Sequence, residues 1–196
     1  MYHPARSLVL ALALTLAIGA PAVFAAPTAS AESAQPAKWV SRDLTFIYQG
    51  FTTQYSCDGL RDNAVTILRA LGASKHDFKV KALPCASRGI SEISFSPGIH
   101  GTIMVLVPAT AQEVSSKDPA IVPAHWETVN LMRTRNLDTR RSGNCELLEQ
   151  AKRELLPLFT FRNLDYSSNC VPHQTSVGGM TFKVDVLQAD AKPAER

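Results

Sequence analysis

Four cysteines, a few histidines and a run of arginines are the side chains of this 196-residue chain whose types and spacing bear on chemistry. Cys57, Cys85, Cys145 and Cys170 have no pair two residues apart, and His173, with two residues between it and Cys170, is a lone histidine near a cysteine rather than part of a ligand set. That spacing argues against a metal centre, and no cofactor is expected. In an oxidising compartment four such cysteines predict disulfides, for which three connectivities are possible. Cys57 with Cys85 and Cys145 with Cys170 is the preferred pairing, because a strand returning antiparallel to a helix ends level with the helix start. His100 in Pro-Gly-Ile-His-Gly, His125 before Trp126 and His173 after Val171-Pro172 are the candidate bases, with His100 and His173 the weak catalytic candidates. A triad assembles in space rather than in sequence, so either could meet an Asp or Ser from elsewhere. No nucleophile elbow, zinc-protease helix, phosphate loop or calcium loop is present. Arg133, Arg135, Arg140 and Arg141 form a weak anion-binding candidate. Asp138 sits among them, and the basic excess is small for a nucleic-acid binder.

The elements that would position these residues repeat. Counted from the opening cysteine, Leu60 matches Leu148, Ile67 matches Leu155, Leu68 matches Leu156 and Leu71 matches Phe159, offsets that fit one face of a helix. The first helix is expected from the Ser56 cap to Gly72, with Leu60, Ala64, Ile67, Leu68 and Leu71 as its buried stripe. The second is expected from about Asn144 to Leu156, where Pro157 stops it. Leu44, Phe46 and Tyr48 alternate with polar neighbours in a first strand. Phe78 and Val80 belong to a second strand ended by Pro84, and Ile93 and Phe95 to a third. Residues 97–101 read as a turn, and Ile103 to Val107 as a buried strand at the sheet centre. Residues 108–123 lose periodicity and read as a link. His125 to Arg133, Phe161 to Tyr166 and the alternating Met180, Phe182, Val184 and Val186 supply the remaining strands. The expected fold is α+β: duplicated β-α-β-β halves, about 39–108 and 124–187, in a mostly antiparallel sheet with two helices on one face and disulfide staples.

Residues 1–25 have the parts of a signal peptide: Arg6, the uncharged apolar stretch Leu8 to Ala20, Pro21, and a small-residue site ending at Ala25. Residues 26–38 read as a flexible leader, 39–187 as one domain and 188–196 as a flexible tail. Loss of Arg6 with the signal takes the formal charge from +3 to +2. No later stretch is apolar for long enough to span a bilayer, so no integral membrane association is expected. The expected location is periplasmic or secreted.

The segment Phe51-Thr52-Thr53-Gln54-Tyr55-Ser56-Cys57-Asp58-Gly59-Leu60, with Leu71-Gly72-Ala73 closing the helix, resembles a motif of small exported proteins of Gram-negative bacteria. No activity comes with that resemblance; it implies export and a domain boundary. The sequence therefore points to an exported non-catalytic module that binds another envelope or secreted protein or an envelope component, inhibitor-like or protective in character, with nucleic acid an unfavoured partner. The alternative is a small exported hydrolase with a His-centred site lacking a local motif.

Overall fold

The computed structural model describes residues 34–84, 96–116, 120–135, 137, 144–171 and 179–190. Six strands form one antiparallel sheet: β1 (Gln35–Ile47), β2 (Lys79–Ala82), β3 (Gly98–Pro108), β4 (Ile121–Asn130), β5 (Phe161–Ser167) and β6 (Thr181–Ala189), in the order β2-β3-β1-β4-β6-β5. Helix α1 (Cys57–Ala70) lies between β1 and β2, α2 (Ala111–Ser115) between β3 and β4, and α3 (Asn144–Glu154) between β4 and β5. The fold is α+β. Exchanging β1 with β4, β2 with β5 and β3 with β6 reverses the strand order onto itself, so the order is symmetric about the β1/β4 seam. The described residues all belong to one compact unit, Glu32–Arg196.

Helix α1 forms where its caps and stripe dictate. The Ser56 side chain accepts from the Gly59 N–H, Asp58 lies in the positive first turn, and Gly72 takes φ +101° just past the end. Leu60, Ala64, Ile67 and Leu68 on α1 and Leu147, Leu148 and Ala151 on α3 pack into one core with Leu44, Phe46, Ile99, Ile103, Val105, Phe182, Val184 and Val186 from the sheet. Both helices thus cover the same sheet face. Leu155, Leu156 and Phe159 continue the second stripe beyond α3, over a single 3-10 turn that contains Pro157. A second, smaller apolar cluster joins Ala37, Leu106, Ala124 and Leu187 from four adjacent strands, with Trp39 and Trp126 packed against it.

Several expectations are corrected. Residues 35–38, assigned to the leader, are the start of β1, paired with β4 throughout and with β3 from Ala37, which is fully buried. Gln188 and Ala189, assigned to the tail, are paired with β4 and belong to β6. The expected turn at 97–101 is strand from Gly98 onward, with His100 between Thr45 and Lys81. The centre of the sheet is the β1/β4 pair rather than Ile103 to Val107. The link at 108–123 contains α2 and the start of β4. The expected strand around Ile93 and Phe95 lies outside the described residues.

Helix α2 rests on a reciprocal capping box, in which the Thr110 side chain accepts from the Glu113 N–H and the Glu113 carboxylate accepts from the Thr110 N–H. Glu113 also pairs with Lys38 on β1. That contact with Lys38, followed by the two from Thr110, holds its carboxyl down at about 2. Thr110→Ala is expected to cost about 1 kcal/mol, read as a lowered urea midpoint with an unchanged slope.

Candidate functional site

Among the described residues, the most extensive buried polar network joins the loop between β1 and α1, residues 48–56, to the face of α3 that holds it. Glu146 follows Cys145 in the first turn of α3 and is buried, 7% exposed. Its Oε2 accepts from the backbone N–H of Phe51 at 2.9 Å, the N–H of Thr52 at 3.0 Å and the Tyr48 hydroxyl at 3.2 Å, while Oε1 accepts from the Thr52 hydroxyl at 2.7 Å. One helical turn further on, Gln150 Oε1 accepts from the Gln49 N–H at 2.9 Å. At the helix start, Asn144 Oδ1 accepts from the Tyr55 hydroxyl at 2.6 Å. Three buried polar side chains of α3 therefore fix the loop at both ends and in the middle.

The loop is shaped to meet them. Tyr48 and Tyr55 bracket it and pack edge to face, with centroids 4.9 Å apart. A side chain at Gly50 would lie 1.7 Å from the Tyr48 hydroxyl oxygen, so the chain passes there only as glycine. Burial pushes both phenols well above the ordinary tyrosine range, with the Glu146 charge adding to it. Burial also pushes the Glu146 carboxyl up, but the hydrogen bonds from Thr52, Phe51 and Tyr48 outweigh it, and the net direction is down. Glu146 is thus an ionised anchor, with its lone pairs committed to the loop, and is not arranged as a general acid.

Phe51 stands at the tip of this loop, 67% exposed. Beside it Gln49, Glu146, Glu149, Gln150 and Arg153 line a depression of about 210 Å³. Pockets for small molecules are roughly 300–1,000 Å³, so this hollow suits the rim of a contact surface better than a substrate site.

The start of α3 is itself fixed. Cys145 and Cys170 form a disulfide with Cα atoms 5.8 Å apart, and Ser168 donates to the Glu149 carboxylate and accepts from the Cys170 N–H. Cys57 is also disulfide-bonded. Its expected partner, Cys85, lies outside the described residues. At the same offset from its own cysteine as Glu146, α1 carries Asp58, which is exposed and paired with Arg61 at 2.8 Å. The two helix starts are equivalent in sequence position and different in use.

The described histidine and arginine candidates lie on other elements than this loop. His100 is exposed on β3, Arg133 and Arg135 are exposed after β4, and His173, Arg140 and Arg141 lie outside the described residues. His125 Nδ1 is 2.6 Å from Asp190 Oδ1, an arrangement that ties β4 to the residue after β6. Among the described residues no hydroxyl or thiol is hydrogen-bonded to that ring, and no three His, Cys, Asp or Glu side chains converge as a metal site would require. Sequence reasoning missed Glu146, Asn144 and Gln150. The available signal was the tyrosine pair flanking a glycine-containing loop, since buried tyrosine hydroxyls need partners. No family model, curated protein or solved structure matches this chain.

Proposed function

We propose that this chain is an exported, non-catalytic module that binds another protein of the envelope or the extracellular space, in the manner of an inhibitor, through the β1–α1 loop. One observation carries the reading: Glu146 holds the backbone of Phe51 and Thr52 from beneath, while the Phe51 side chain is 67% exposed above it. A loop already fixed in one conformation avoids most of the ordering cost of association. An aromatic side chain at its tip supplies the buried anchor on which binding energy concentrates. Export is supported by the signal-like residues 1–25 and by the Cys145–Cys170 bridge. Among the described residues no helix is long and apolar enough to cross a membrane.

The test uses the immobilised mature protein with periplasmic extract, followed by inhibition assays of peptidoglycan hydrolases and proteases with the captured partner. Phe51→Ala is expected to weaken the captured complex at least about tenfold, compared at equal folded fraction. A partner bound equally well by wild type and Phe51→Ala would place the contact elsewhere. Turnover of a substrate by the purified protein would replace the binding reading with a catalytic one.

A further inference from the structure

A second concave surface lies away from the β1–α1 loop, and none of its lining comes from that loop. It is a groove of about 540 Å³ between the chain that follows α1 and the end of β6, within the size range of small-ligand sites. We propose that this groove binds an anionic saccharide.

Its walls are fixed before any ligand arrives. Arg69, in the last turn of α1, points its guanidinium at the carbonyl oxygens of Ala73, Ser74 and Lys75 and stacks on Phe78 at 3.9 Å. The Ser74 N–H donates to Met104 O at 2.9 Å, and the His76 N–H donates to the Ser74 hydroxyl at 3.1 Å. The exposed Lys75 and His76 therefore stand on a rim whose backbone is pinned from both sides. Across the groove, Gln188 is held by a 3.4 Å bond from its amide to Ala70 O, and Asp190 by His125 and by its own N–H to Pro123 O.

Trp39 supplies the aromatic surface, part of it packed on the small apolar cluster and part lining the groove. The face of an indole carries the negative lobe of its quadrupole. A sugar ring presents C–H groups of slight positive charge on one face and hydroxyls around its edge, which matches an indole flanked by amide and carboxylate groups. Arg69 is engaged by the three carbonyls and Asp190 by His125, which leaves the exposed Lys75 ammonium on the rim as the charge that favours a ligand with a negative group. A flat aromatic anion fits less well, because it brings no hydroxyls to Gln188 and Asp190.

The chain has two tryptophans, so the indole N–H region of its NMR spectrum is simple, and Trp126→Phe assigns the Trp39 signal. The probe is N-acetylmuramic acid. N-acetylglucosamine serves as the same ring without the carboxylate, and benzoate as an anion without hydroxyls. The expected result is a saturable shift of the Trp39 signal with a dissociation constant on the order of 1 mM, with neither control saturating at the same concentrations. Lys75→Glu changes an exposed side chain without touching the fold, and is expected to weaken binding about tenfold. No saturable shift with N-acetylmuramic acid, an equal response to either control, or unchanged affinity in Lys75→Glu would overturn the assignment.

Discussion

Glu146→Ala is expected to destabilise the protein by about 3 kcal/mol, because it strands a group of donors and not a single one. The N–H groups of Phe51 and Thr52 and the hydroxyls of Thr52 and Tyr48 all converge on that carboxylate. Water entering the vacated space would recover part of the loss, which keeps the figure below the sum of four separate bonds. Glu146→Gln keeps the shape and one acceptor oxygen, and is expected to cost roughly 1–2 kcal/mol. The pair of variants also separates charge from shape. With its folded pKa lowered, Glu146 contributes stability that is fully present above the ordinary carboxyl value of about 4.3 and is lost as the pH falls through the folded value. The gap between wild type and Glu146→Gln should therefore be constant near neutrality and narrow below about pH 4. Urea denaturation at a series of pH values measures both effects. A gap that stays constant down to about pH 2 would mean that the carboxylate is not held as described.

Replacing Cys145 and Cys170 together by serine is expected to cost about 3.5 kcal/mol, the chain-entropy value for the 25-residue separation they close. The consequence extends past stability. Cys145 is the residue before Glu146, so the bridge fixes the helix turn from which the carboxylate reaches the loop. Weakened binding by the double variant, beyond what its folded fraction explains, is the expected accompanying result. Denaturation of wild type and variant under matched oxidising conditions gives the energy, and a difference below about 1 kcal/mol would show that the helix start is held by its other contacts.

Much of the scaffold could be read from local pattern. The Ser56 cap, the apolar stripe and Gly72 delimit α1, Pro157 sets the end of α3, and alternation in Met180 to Val186 marks β6, because in each case the governing interactions lie within one element. The errors fall where distant segments decide. Gln35 to Lys38 has a leader's composition and is nonetheless strand, because β4 pairs with all four residues and β3 joins from Ala37 onward. His100 lies in a glycine-flanked stretch and is nonetheless extended, for the same reason. Helix α2 was locally legible in Thr110 and Glu113, a capping pair obscured by the surrounding Ser, Lys, Asp and Pro. Glu146 illustrates the limit most sharply. An acid in the first turn of a helix is ordinarily a solvated partner of the dipole, as Asp58 is on α1. Only the fold, which brings Phe51 and Thr52 across 94 to 95 residues of sequence, converts the same position into a buried anchor.

The β1–α1 loop is held in one conformation before any partner arrives. Amide hydrogen exchange at Phe51 and Thr52 in the free, oxidised protein tests it most directly. Protection comparable to that of the α1 amides, lost in Glu146→Ala while β3 and β6 stay protected, is the predicted result. Exchange at Phe51 and Thr52 as fast as in an unstructured peptide would contradict it.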